Sequence, residues 1–213
     1  MGQYYRGVVL GKTTKKSKKI IVKQAYCCYA HNNGAKLMEH SYVGNSYVKA
    51  YEKALANDFY GYPFVWAGDY GDELFDKSPY FEACDFIDKK IDSKAKKLKY
   101  CKVECNRYEK LLKNGEIVTK TEEDFIEKIK STETYKYIIN FDKKVAVKIP
   151  DKSSTDLIIH PLPLLCADGN GRGGGDYHGS NMNLVGSWAY DRIGIGNELP
   201  DDITLEEVTF VEY

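Results

Sequence analysis

YKYIINFDKKVAVKI, residues 135–149, decides how the rest of the chain is read. Tyr135, Tyr137, Ile139 and Phe141 alternate with Lys136, Ile138 and Asn140, a period of two that sends successive side chains to opposite faces of a strand. Asp142-Lys143-Lys144 interrupts the pattern, and Val145, Val147 and Ile149 resume it. Two β-rich runs joined by a short polar turn form a hairpin, so adjacent strands run antiparallel.

Working outward, Tyr62–Ala67 (YPFVWA) is short, aromatic and β-branched, which predicts a buried strand ending at Gly68. Between Gly44 and Asn57, residues Tyr47, Val48, Tyr51, Ala54 and Leu55 recur at three and four positions, the spacing of a helix that Asn45 or Ser46 can cap. Tyr4–Leu10 and Lys19–Ala25 read as strands on either side of the basic stretch GKTTKKSKK. Its lysines, from Lys12 to Lys19, suit a solvated loop able to steer an anion, and no specific function is assigned to it. Leu157–His160, Val185–Ile195 and Val208–Tyr213 are further strand candidates.

Ser78-Pro79 resembles a cap followed by proline in the first helical turn. It precedes an apolar stripe of Phe81, Cys84, Phe86, Ile87 and Ile91 that predicts a helix to about Lys97. Thr121-Glu122-Glu123-Asp124 has the form of a capping box for a second helix, to about Lys130. Helices therefore do not alternate regularly with strands. The expectation is one α+β domain over residues 1–213, with a mainly antiparallel sheet, two to three flanking helices and a charged helical insertion at about 78–130.

The composition fits that architecture. A chain of 213 residues with 43% hydrophobic side chains buries about 70% of its unfolded surface on folding. Lys+Arg and Asp+Glu both number 31, so no global charge draws the molecule to nucleic acid or an acidic membrane. No apolar run reaches the roughly 20 residues of a membrane span, and no apolar signal core is evident, so a cytoplasmic location is expected. Cys27, Cys28, Cys84, Cys101, Cys105 and Cys166 then read as thiols. Cys101 and Cys105 have no matching downstream pair, so neither metal nor cofactor is expected.

The segment most suggestive of chemistry is DGNGRGGGDYHG, residues 168–179. Glycines at this density free the backbone to turn amides inward as a nest for an anion, and Arg172 adds a planar guanidinium. Gly171, Arg172, Gly173, Gly174, Gly175 and Tyr177 are therefore candidate contacts for a phosphate-bearing ligand, with a tight structural loop as the alternative. Gly169-x-Gly171-x-x-Gly174 matches the dinucleotide fingerprint literally, but no helical pattern follows it. Walker and EF-hand templates fail at the positions of their Lys and Glu.

An echo supplies further candidates. Trp66-Ala67-Gly68-Asp69 and Trp188-Ala189-Tyr190-Asp191 share the form W-A-x-D, and Gly68-Asp69-Tyr70 recurs as Gly175-Asp176-Tyr177. Trp66 or Trp188 would face a ligand base, with Asp69, Tyr70, Asp176 or Asp191 at ribose or base edges; core tryptophans beside turn aspartates are the plainer alternative. His40, His160 and His178 are candidate acids or bases, with Asp176 as partner. A strand at 36–42 would send Glu39 and His40 to opposite faces, which argues against a direct pair there.

Several of these segments occur together: Met1-Gly2-Gln3-Tyr4-Tyr5, Lys36-Leu37-Met38-Glu39-His40-Ser41-Tyr42, Trp66-Ala67-Gly68-Asp69-Tyr70, His160-Pro161-Leu162-Pro163-Leu164-Leu165, the glycine loop and Val185-Gly186-Ser187-Trp188-Ala189. In this combination the chain resembles a family of uncharacterised bacterial and tailed-phage proteins. The resemblance covers most of the chain outside the lysine loop and the 78–130 insertion. It implies a small accessory protein in bacterial cytosol, possessing no catalytic residue by inheritance. Arg6 stands where a myristoylation signal needs Ser or Thr. Three readings follow: a binder of a nucleotide or nucleotide-derived signal that counters host defence, a hydrolase or transferase on such a substrate, and an inhibitor of a host protein.

Overall fold

The structure is a computed structural model that describes residues 1–10, 13–16, 19–22, 25–27, 35–57, 59–71, 109–110, 133–152 and 156–213. The quoted hairpin forms as β7 (Tyr137–Asn140) and β8 (Val145–Lys148), with Ile138 opposite Val147 and Ile139 opposite Ala146. Its turn is set by Asn140, whose Oδ1 accepts from the amides of Asp142 at 3.0 Å and Lys143 at 2.9 Å. Lys144 completes the reversal at φ +57°.

From this hairpin the sheet grows in both directions. On one side β11 (Thr204–Glu206) adds in parallel to β8. On the other, β10 (Arg192–Gly196), β5 (Tyr62–Gly68), β1 (Tyr5–Leu10), β4 (Ala25–Cys27) and β6 (Glu109–Lys110) follow, each antiparallel to its neighbour. The second half of β5 also takes β9 (Ala167–Asp168) as a parallel partner, on the edge that β10 leaves open. The mainly antiparallel α+β architecture is therefore the one expected from the alternation.

The helix predicted around residue 50 is α2 (Ser46–Ala56), capped by Asn45, whose side chain accepts from the Tyr47 amide at 2.8 Å. Its apolar stripe lies on the sheet, burying Tyr47, Val48, Tyr51, Ala54 and Leu55. Contact is closest at Gly7. A Cβ there would lie 2.5 Å from the Tyr51 ring, and the Tyr51 hydroxyl donates to the Gly7 carbonyl at 2.6 Å.

Some local expectations are corrected. Residues 36–42 contain a helical turn, α1 (Leu37–His40), because Glu39 reaches back to accept from the Lys36 amide at 3.1 Å. His160-Pro161-Leu162-Pro163-Leu164-Leu165 contains a short helix that no periodicity announced: α3 (Pro161–Leu165) forms with proline in its first turn and His160 as cap. Residues 157–160 make an isolated bridge, Ile159 to Tyr42, and 185–191 are turns before β10. In place of the strand expected at 208–213, the C-terminal tail forms the isolated bridge of Glu212 to Gly179. The basic stretch holds β2 (Thr13–Lys16), paired with β3 (Lys19–Val22) as a separate ribbon. The helices expected at 78–97 and 121–130 lie outside the described residues, although Glu109–Lys110 within that insertion joins the main sheet.

Candidate functional site: the glycine loop and its surroundings

β9 aligns Ala167 with Trp66 and Asp168 with Ala67, so the glycine loop departs beside the turn at Gly68–Gly71. Three backbone bonds then fasten it to the N-terminal half of the protein. Gly174 N donates to Met1 O at 3.0 Å, Gln3 N to Gly174 O at 3.1 Å, and Met38 N to Gly175 O at 3.1 Å. Asn170 closes the loop on itself, accepting from Tyr177 N at 2.8 Å and donating to Tyr177 O at 3.2 Å.

Gln3 explains part of the glycine content. Its side chain is fully buried, and a Cβ at Gly68 or Gly169 would lie 2.3 Å from its Nε2, while one at Gly173 would lie 2.5 Å from its Cβ. Any larger residue at these positions would collide with the glutamine. Both polar atoms of that carboxamide lack a hydrogen-bond partner among the described residues.

The loop amides do turn inward, and the anion they meet is Asp176. Its Oδ2 accepts from Gly171 N at 2.7 Å, Arg172 N at 2.9 Å and Gly173 N at 3.0 Å, and its Oδ1 accepts from the Tyr5 hydroxyl at 2.9 Å. Asp176 is itself buried. Burial, with Asp176 adding, pushes the Tyr5 phenol far above its ordinary pKa. Burial also raises the Asp69 carboxyl, against the amides of Tyr4, Asp69 and Tyr70 that lower it.

Outside this buried centre lies an exposed rim. The Arg172 guanidinium donates from Nη1 to the Tyr70 carbonyl. Tyr4 N donates to Asp69 Oδ1 at 3.1 Å, and Asp69 N to Tyr4 O at 2.9 Å. Tyr4, Asp69, Tyr70 and Arg172 are thus linked into one surface by a backbone bond and two side-chain bonds, with Tyr4 39% and Tyr70 38% exposed.

Other expected residues are placed elsewhere. The view of Trp66 and Trp188 as ligand-facing indoles is corrected, since both are buried in the core. Trp66 stacks on His40 with ring centroids 5.2 Å apart, and its Nε1 donates to His40 Nε2 over 2.6 Å. His160 is buried and committed at both ring nitrogens. Nδ1 accepts from Leu162 N at 3.1 Å, which puts the proton on Nε2, 2.8 Å from Glu52 Oε1. Asp191 accepts from Asn140 Nδ2 at 2.8 Å and so serves the hairpin. Tyr177 is buried, with its hydroxyl 2.8 Å from the carbonyls of both Ser180 and Val211, which share its one proton, and its ring edge-on to Phe210. His178 is exposed, whereas the Asp176 oxygens are engaged by the loop amides and Tyr5.

The second W-A-x-D segment docks on β5 at Phe64, two residues before the first: Phe64 N donates to Asp191 O at 3.0 Å and Tyr190 N to Phe64 O at 2.7 Å. The Tyr190 hydroxyl donates to the Asp168 carboxylate, bracing the start of the loop. Sequence reading missed Gln3, Tyr4, Tyr5, Asn170 and Tyr190. Only Asn170 carried a local signal, an amide in a turn-rich segment; the others are brought in by backbone bonds between distant segments.

Among the described residues, no group of three or more His, Cys, Asp or Glu side chains is set to hold a metal ion, and no helix is long and apolar enough to cross a membrane. No protein-family model, curated protein or solved structure matches this chain.

Proposed function

We propose that the chain is a binding protein and that it engages a protein partner through the surface formed by Tyr4, Asp69, Tyr70 and Arg172. The observation that carries this reading is the contiguity of two exposed tyrosines and an arginine on backbone already held in place. Tyr and Arg concentrate binding energy at protein interfaces, and a preorganised surface loses little entropy on docking. The commitment of His40 and His160 to core contacts supports binding over the acid–base reading. The resemblance to bacterial and phage proteins supplies a setting, bacterial cytosol with a host factor as partner, in which occupying that factor counters host defence.

The test is quantitative capture from bacterial lysate with the wild-type chain, Tyr70→Ala, Arg172→Ala and the control Tyr62→Ala, whose tyrosine is similarly exposed at 39%. A partner should be retained by wild type and by the control, and reduced about tenfold or more by the other two variants, as expected for hot-spot residues. Equal capture by all four would overturn the proposal.

A second reading, recognition of a phosphate-bearing small molecule, is favoured by the exposed Arg172 guanidinium beside Tyr70, outside the amides that Asp176 occupies. It predicts a thermal shift with a nucleotide, cyclic dinucleotide or ADP-ribose derivative. A ligand at about 100 times its Kd adds roughly 2.7 kcal/mol. Absence of any shift across such a set would remove it.

A further inference from the structure

We infer that the amides of Gly171, Arg172 and Gly173, with the Tyr5 hydroxyl, form an oxyanion site held shut by the chain's own Asp176, a tethered carboxylate that an external carboxylate can replace. It rests on the protein-partner reading only in naming the source of that carboxylate, an acidic side chain or chain terminus.

The first support is the donor set. Three successive amides point at one oxygen and a phenolic hydroxyl at the other, an arrangement that recognises an oxyanion irrespective of the chain carrying it. The second is that both ends of the site are anchored apart from its occupant. Bonds from Gly174 N to Met1 O, Gln3 N to Gly174 O and Met38 N to Gly175 O, and the Asn170 pair with Tyr177, fix the loop on either side of residues 171–173 without involving the Asp176 side chain. The third is that only one thin layer separates the site from solvent. Asp176 and Tyr5 are buried, but the loop residues carrying the amides, Gly171 and Arg172, are exposed, and nothing lies within 4 Å of the point where a Gly171 Cβ would sit, so an external carboxylate enters by displacing the Asp176 side chain.

Charge narrows the ligand class. Asp69 and Asp168 act on Tyr5 together with Asp176, so negative charge already surrounds the site. A singly charged carboxylate is tolerated there more readily than a phosphate dianion, since like charges at close range oppose each other. Tethering explains why the site stays closed: an intramolecular carboxylate competes at a high effective concentration, so an external one must bring further contacts, such as those of the Tyr4–Tyr70–Arg172 surface.

The experiment uses Asp176→Ala in the full chain, with melting temperature read in sodium acetate, sodium phosphate and sodium chloride at matched ionic strength. Acetate should recover most of the melting temperature lost by the variant, saturably, while wild type responds little and chloride does nothing. Indifference of the variant to acetate overturns the inference, and a larger response to phosphate than to acetate overturns the carboxylate selectivity. Should Asp176→Ala not fold, Asp176→Asn offers a weaker neutral occupant. Acetate should then move the amide resonances of residues 171–173 saturably, and unmoved resonances overturn the inference. None of these readings depends on lysate capture, so a failed oxyanion site and a failed partner surface are distinguishable.

Discussion

Gln3 sits fully buried among Gly68, Gly169 and Gly173, with neither end of its carboxamide partnered among the described residues. A buried polar group without a bond costs about 1–3 kcal/mol, and an apolar side chain of the same shape avoids that cost. Gln3→Met is therefore expected to raise stability by about 1 kcal/mol in denaturant unfolding, while Gly173→Ala lowers it by overpacking the same glutamine. A loss of stability in Gln3→Met would mean that shape, not polarity, governs the position. At this scale the sequence showed that glycines were concentrated near residue 170 and offered a ligand as the reason. For Gly169 and Gly173 the nearer reason is Gln3, whose 165-residue separation from the start of the loop hides the contact from any local pattern.

Secondary elements differ in how openly they announce themselves. α2 was legible because its apolar stripe and Asn45 cap are local signals, and the hairpin of β7 and β8 was legible for the same reason. α3 was not, because two prolines in five residues suppress a helical reading, and histidine is an uncommon cap. The two caps also differ in what lies behind them. Asn45→Ala removes one side-chain bond to the Tyr47 amide and should cost about 1 kcal/mol. His160→Ala removes the bond to Leu162 N and also the imidazole hydrogen bond to the buried Glu52 carboxylate, so its cost should reach about 2–3 kcal/mol. Glu52→Gln in the His160→Ala background should recover part of that loss. Equal costs for the two cap variants, measured by chemical denaturation, would show that the Glu52 contact carries no net energy.

For the molecule as a whole, the raised phenols of buried Tyr5 and half-buried Tyr135 predict a loss of stability at alkaline pH. Burial, with Glu133 adding, pushes Tyr135 up to about 12, and Tyr5 lies higher still through burial and Asp176. The sign follows from linkage: a phenol whose pKa is raised in the folded state ionises first in the unfolded chain. Its contribution is thus complete below about pH 10, the ordinary tyrosine pKa, and is lost as the pH rises above that value. For Tyr135 the loss is confined to the window up to about 12. Stability should fall steeply above pH 10, and Tyr5→Phe should flatten that slope while lowering stability at neutral pH through the lost bond to Asp176. An unchanged slope in Tyr5→Phe, followed by denaturant unfolding from pH 8 to 11, would exclude Tyr5 as a main source.

By itself the sequence determined the hairpin, the amphipathic helix, the buried strand at Tyr62 and hence an antiparallel α+β sheet, because periodicity and capping are properties of neighbouring residues. It also drew attention to the glycine loop and to inward amides. Only the tertiary structure decided what those amides hold and where the tryptophans face. The Asp176 latch depends on Tyr5 arriving from β1, the loop's closeness on Gln3, and the burial of Trp66 and Trp188 on layers packed from distant segments. Burial and long-range pairing are set by how elements stack, and no local spacing encodes them.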